Sequence, residues 1–382
     1  MTKTALSKTA SSKTNRRKLL KGAGLSAGLG VGIGLAAGTL PTPAISQGLK
    51  SWTVVSAFTG SGILGRGLAR FCERVTRATN DQFQFEIYNV NEREPAFKVL
   101  NAVTTGRANM GYGAPYYWFL ESPALQFLAS MPFGLTAQEQ NAWFFHGQGI
   151  EQADKIYNSL GAKFLPLGNT GNQMGGWFNT LISEVSDFDR LKFRMPGLGG
   201  NVLKSFGTRI ANLSGSQVIP ALKSNQIDGT EWIGPAADLD KQLHLYAAYY
   251  YYPGWHEPGT VLDLSINLND WTGLTSEQRA VFNQVAAAIN AEILTEFHHA
   301  NAKAMEILLE EHNVELKRFP DHVLKSLGQR SGEVLFDLAS KDADSRRLFV
   351  DLGRFRSQTK RFSHVTDGEF LASRELNFSF PE

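Results

Sequence analysis

The side chains whose types and spacing could do chemistry fall in four short stretches. Residues 168–178 (GNTGNQMGGWF) carry Gln173, and residues 191–200 (LKFRMPGLGG) carry Arg194. Residues 226–235 (QIDGTEWIGP) carry Glu231 and Trp232, and residues 249–259 (YYYYPGWHEPG) carry Glu257. Arg194 ends a strand-like alternation, and its planar fork of donors matches a carboxylate bidentately, which a lysine's point charge does not. Glu231 is a second anion in the same set and would repel a carboxylate ligand unless a cation stood between them. The Gln173 side-chain carbonyl, the Glu231 carboxylate and the Trp232 backbone carbonyl are hard oxygen donors suited to Na⁺ or Ca²⁺, with Glu257 as a further candidate. A buried Arg–Glu pair would account for Arg194 and Glu231 without any ligand, and Trp177 and Trp232 could be ordinary core.

Catalytic signatures are missing from the sequence. It contains no H-E-x-x-H, no Cys/His zinc spacing and no P-loop, and after residue 46 no G-x-S-x-G. His256-Glu257 runs at once into Pro258, which argues against the helix a zincin motif needs. One motif does suggest a cofactor: Gly60 to Gly65 spell G-x-G-x-x-G between a strand near 52–57 and a helix near 64–79. The acidic partner that a dinucleotide ribose requires is absent from the end of the next strand, since Glu86 lies mid-strand on the face opposite Phe83, Phe85 and Ile87. The glycines equally suit a tight strand-to-helix turn. An exported NAD(P)-dependent oxidoreductase built on this loop is therefore the alternative to a non-catalytic binding protein.

Positioning such groups calls for an α/β framework. Strands read at 82–88, 108–112, 162–167 and 314–319 alternate with helical patterns near 95–105, 137–145, 149–160, 322–339 and 344–358. Tyr116 and Tyr117 follow the 108–112 strand, where open α/β sheets expose their ligand crevice; they could wall a pocket or plug a lobe. Thr275-Ser-Glu-Gln278 is a capping pattern opening a helix to about residue 299, and 302–310 continues its spacing, long enough to brace two lobes. The tail from 359 to 382 has no clear place in a core.

The first 46 residues hold seven basic and no acidic side chains, with Arg16-Arg17 ahead of a glycine-rich apolar run and small residues at Ala44 and Ser46. That is the make-up of a twin-arginine export signal cleaved before Gln47. Without it the chain carries 31 basic and 36 acidic residues, a net −5, and no basic aromatic-interleaved stripe, which excludes nucleic acid as a partner. Cys72 is the one cysteine, so no internal disulfide forms and stability rests on the hydrophobic core.

Taken together, the four stretches closely resemble the extracytoplasmic solute-binding proteins of TRAP transporters, particularly those that bind 2-oxo monocarboxylates such as pyruvate. The resemblance implies a two-lobe periplasmic-binding fold with the ligand in the cleft. It puts lobe I at about 48–171 plus 260–300, lobe II at 172–259 plus 301–350, and a C-terminal arm at 351–382 that pairs two copies. It further implies Arg194 as the carboxylate clamp, a cation on Gln173, Glu231 and Trp232, a periplasmic location and a membrane permease as partner.

Overall fold

The computed structural model describes residues 48–379; the expected export signal and the last three residues of the tail lie outside the described residues. Strands β1 (Lys50–Ser56), β2 (Phe83–Tyr88), β3 (Met110–Gly113) and β4 (Ala162–Asn169) come first. Next are β5 (Gly176–Phe178), β6 (Lys192–Arg194), β7 (Arg209–Ala211) and β8 (Gly229–Thr230), then β9 (Tyr249–Tyr252), β10 (Val261–Asn267) and β11 (Glu315–Arg318). They make a five-stranded sheet of order β2-β1-β3-β10-β4 and a six-stranded sheet of order β11-β9-β5-β8-β6-β7, the α/β two-lobe arrangement expected.

In the first sheet, β1 is parallel to β2, with Lys50 opposite Phe83 and Val55 opposite Tyr88. A parallel pair needs a crossover, and the helix Ile63–Ala78 supplies it, burying Leu68, Phe71, Cys72 and Val75. Burial pushes the Cys72 thiol well up, as for a packed residue and not a reactive one. Trp52, Phe83 and Phe282 meet edge-on or tilted at 5.2–5.5 Å between ring centroids in this core. Strand β10 runs antiparallel to both β3 and β4, and all of its residues are buried.

The chain passes between the sheets from β4 to β5, from β9 to β10, and along the helix Ser276–Glu310 into β11. That helix is one unbroken element of 35 residues, about 52 Å at 1.5 Å per residue. Thr275 and Gln278 cap it reciprocally. Ile289 and Ile293 join the core of the five-stranded sheet, whereas Leu308 joins a cluster under the six-stranded one with Trp177 and Tyr250. Ion pairs from Arg66 and Arg70 to Glu296, and from Arg74 to Glu292, lash its middle to the Ile63–Ala78 helix. His298 and His299 are exposed on its solvent face.

Two expectations change at the C-terminal end. Residues 301–350 do not stay with one lobe: in the helix Asp321–Ala339, Val323 and Leu327 pack with Phe319 and Phe193, but Leu335, Leu338 and Ala339 join the core of the five-stranded sheet. The next helix does not stop near residue 358; it spans Ala343–Ser363 and leads through a π turn, His364–Gly368, into a short helix, Glu369–Arg374. No proline or glycine falls between residue 358 and Gly368, and Leu348 and Leu352 anchor its first half in the core. Beyond that, Phe362, Val365, Phe370, Leu371 and Leu376 are exposed.

Candidate ligand-binding site

Strand register brings Arg194 and Glu231 together. β6 lies parallel between β7 and β8, pairing Arg194 with Thr230, and the Glu231 amide donates to the Arg194 carbonyl at 3.1 Å. Arg194 is 1% exposed. Its Nη1 donates to the Glu231 carboxylate and, at 3.0 Å, to the Glu231 carbonyl, while Nε donates to the Leu213 carbonyl at 3.1 Å. The buried Arg–Glu pair is thus a real feature of this conformation. The Trp232 ring stacks near this guanidinium, 5.0 Å from Cζ, and takes the Lys241 ammonium at 4.3 Å. Burial and the nearby Arg194 charge hold Lys241 below the usual lysine range.

Gln173 sits on the β4–β5 crossing, where its amide donates to the Glu257 carbonyl at 3.2 Å. The two segments approach so closely that a Cβ at Gly254 would lie 2.1 Å from the Gln173 carbonyl oxygen, which only glycine tolerates. The side-chain amide nitrogen of Gln173, with two hydrogens to give, lies 2.9 Å from a Glu257 carboxylate oxygen and 3.1 Å from each of the Thr170 and Thr260 hydroxyls. Its carbonyl Oε1 is buried and receives no hydrogen bond. These acceptors fix which way the amide faces and leave its carbonyl oxygen as an unpaired acceptor.

Glu231, His256 and Glu257 are all buried and present ligand atoms within 4.8 Å of one another. Burial, then the Glu231 charge, pushes the Glu257 carboxyl up to about 7. His256 was not among the candidate ligands read from the sequence; its one signal was adjacency to Glu257 in the glycine-flanked 249–259 stretch. Thr170 and Thr260, which orient Gln173, carried no signal of their own.

Tyr116 and Tyr117 come from the other lobe, on a 3₁₀ turn after β3, Pro115–Trp118. The turn is held by Trp118, whose indole N–H donates to the buried Asp263 of β10 at 3.3 Å; the Tyr157 hydroxyl donates to Asp263 at 2.9 Å. Tyr117 packs edge-on against Tyr116 and Trp118, with its hydroxyl beside the Arg194 guanidinium. A Cβ placed on Gly197 would come within 3.4 Å of the Tyr116 ring, so Tyr116 bears on the start of the helix Gly197–Lys204. Burial pushes both phenols up, leaving them neutral donors near pH 7. Beside this cluster Trp232 lines a cleft of about 280 Å³ with Phe58, Ile63, Val90, Lys241 and Phe297, which come from both lobes.

Trp177 is core: it stacks on Tyr250 at 4.0 Å and donates to Asp238 at 2.9 Å. Asp238 also receives the Tyr250 hydroxyl at 2.7 Å and the Ile233 amide at 3.2 Å, tying the segment after Glu231 to the sheet. Burial pushes its carboxyl up to about 6.

The Gly60–Gly65 loop serves packing. A Cβ on Gly65 would fall 2.2 Å from the Thr59 carbonyl oxygen and 2.5 Å from the Gly60 Cα, so the glycine is demanded by the turn itself. Glu86 is exposed on β2 and accepts from the Tyr88 hydroxyl at 3.3 Å. The oxidoreductase alternative finds no support here.

A buried polar cluster assembled from both lobes of a two-sheet α/β protein defines a cleft-type binding protein. The family described as bacterial extracellular solute-binding protein, family 7, matches residues 57–342, and the chain belongs to that family, the solute-binding proteins of TRAP transporters. A monocarboxylate 2-oxoacid-binding periplasmic protein of Nostoc sp. is 34% identical over 328 residues, covering 85% of this chain and 90% of that protein. A TRAP periplasmic solute-binding protein of Pseudoalteromonas atlantica, solved with bound sodium and pyruvate, is 30% identical with a TM-score of 0.82, over 85% of this chain and 99% of that one. Its counterpart from Colwellia psychrerythraea, solved with calcium and pyruvate, is 31% identical with a TM-score of 0.83 over the same shares.

Proposed function

We propose that this protein captures a small 2-oxo monocarboxylate of the pyruvate type in the cleft between its lobes, together with Na⁺ or Ca²⁺, and delivers it to the membrane permease of a TRAP transporter. The observation that carries the reading is the buried, unpaired Oε1 of Gln173, joined through its own amide to Glu257 and so to the cluster with Glu231. Two buried carboxylates and an orphaned carbonyl are a donor set for a hard cation. Gln173, Glu231, the Trp232 backbone carbonyl and Glu257 would hold it, and the bound ion would supply the positive charge that lets an anionic ligand share a cleft with Glu231. Arg194 grips the acid carboxylate, with Tyr117 beside it and Tyr116 and Trp232 closing the walls. The relatives named above support the choice of acid and cation.

On this reading residues 1–46 direct twin-arginine export and are cleaved before Gln47, the protein works in the periplasm, and the exposed apolar arm beyond residue 350 pairs two copies. Lobe I takes about 48–171 and 260–300, together with the packed residues of 335–352, and lobe II takes 172–259 and 301–334.

Calorimetry with pyruvate tests this on the mature protein, dialysed against chelator into choline buffer and then given Na⁺ or Ca²⁺. Binding is expected only with a cation restored, and Arg194→Lys should weaken it by about 2–4 kcal/mol. Undiminished binding without any cation would remove the metal assignment, and wild-type affinity in the lysine variant would remove the clamp.

A further inference from the structure

His256 is 1% exposed, yet neither ring nitrogen has a hydrogen-bond partner. Its Nε2 stands 3.6 Å from Glu231 Oε2, beyond hydrogen-bond range, while the other Glu231 oxygen is held by Arg194. The ring is not there by default of space. A Cβ on Gly199 would lie 2.6 Å from the His256 Cβ, so the backbone of the helix Gly197–Lys204 is pressed against it, and Trp255 flanks it edge-on at 5.6 Å. A neutral imidazole carries one N–H and one lone pair in either tautomer, and leaving a buried polar group unpaired costs about 1–3 kcal/mol. A phenylalanine of similar shape would avoid that cost, so the imidazole calls for a partner that the protein itself does not supply.

The order of groups indicates the partner. Arg194, Glu231 and His256 follow one another, with the Glu231 carboxylate between the other two. An acid whose carboxylate takes Glu231's place on Arg194 brings its second carbon toward the imidazole. We infer that His256 is a specificity-determining residue that donates its ring N–H to the oxygen on C2 of the bound acid. The inference rests on the proposed function and sharpens it: the site reads a carboxylate with Arg194 and the neighbouring keto oxygen with His256. A polar site of this kind rejects analogues lacking the oxygen, because the donor is then left buried and unpaired. The role needs no net charge on the ring, only the tautomer that places the hydrogen on the nitrogen facing the C2 oxygen.

The test is calorimetry of pyruvate and of propionate, which lacks the C2 oxygen, at saturating Na⁺ on wild type, His256→Phe and His256→Gln. The wild type should prefer pyruvate. In His256→Phe pyruvate affinity should fall about 10- to 100-fold while propionate changes little, so the preference collapses, and His256→Gln, which keeps an N–H, should restore part of it. Equal losses for both acids would mean that the ring is only packing. A fall in Na⁺ affinity measured without any acid would make it a metal ligand instead; either result overturns the inference. Should His256→Phe not fold, ¹⁵N-histidine spectra of the wild type decide the matter: a protected imidazole N–H should appear with pyruvate and not with propionate, and its absence with both overturns the inference. Wild-type protein that binds neither acid would bring down the proposed function as well, an outcome distinct from binding with an unaltered preference.

Discussion

Replacing Asp263 by asparagine should remove a pH dependence of stability whose sign and size follow from the structure. Asp263 is fully buried on β10, and burial raises its carboxyl from 3.8 to about 7, although the hydrogen bonds from Tyr157 and Trp118 pull it down. Between those values the folded protein holds a proton that the unfolded chain has lost, so unfolding releases it and stability falls as pH rises. The contribution is complete below the unfolded value and gone above the folded one. Three units at 1.36 kcal/mol each set it at about 4 kcal/mol. Asparagine keeps the shape and an acceptor but does not titrate. Urea unfolding of the ligand-free mature protein at several pH values between 4 and 8 should therefore show the variant gaining on the wild type by about that amount across the range. Asp238 and Glu257, raised to about 6 and about 7, titrate in the same window but are present in both proteins and cancel in the difference. Curves that run parallel would refute the reasoning.

Gly65→Ala should cost about 1–3 kcal/mol in the same unfolding assay through backbone overlap at the turn, while leaving ligand affinity unchanged; wild-type stability would mean that the turn relaxes freely. On the proposed pairing of two copies, ending the chain after Gln358, which removes exposed Phe362, Val365, Phe370 and Leu371, should lower the sedimentation from that of a dimer to that of a monomer at micromolar concentration. Identical sedimentation of the full mature and shortened chains as monomers would assign the arm another use.

Strong local signals made much of this fold legible. The Thr275 cap and its helical spacing gave the long helix, and the alternation in 82–88 gave β2 with Glu86 on the outside. β10 went unread because it is buried on both faces and has no alternation, and because Asp263 and Ser265 interrupt its apolar run. Strands β5, β7 and β8 are two or three residues long, too short for any period to register. The 301–350 segment divides because one helix, Asp321–Ala339, is buried at its two ends by different sheets, and a helical stripe does not say which sheet it faces.

The site was legible in its residue types and opaque in its pairings. Arg194 and Glu231 stood out as charged groups among glycines, but that they meet follows from β6–β8 register, which a sequence of such short strands cannot disclose. The pairing alters the argument about ligand binding. With Nε on Leu213 and Nη1 on Glu231, Arg194 already has internal acceptors, so an incoming carboxylate competes with the Glu231 side chain for the same guanidinium. Replacing one buried ion pair by another gains little unless the released carboxylate is also satisfied. On the proposed reading the cation satisfies it, drawing Glu231 toward the Gln173 oxygen and freeing Arg194 for the acid. On that reading Arg194 and Glu231 pair with each other when the cleft is empty, and each has an opposite charge when both ion and acid are bound, whereas acid alone leaves Glu231 buried without a countercharge. Coupling between ion and acid arises from that third state being costly, and by reciprocity the acid must tighten the ion by the same factor.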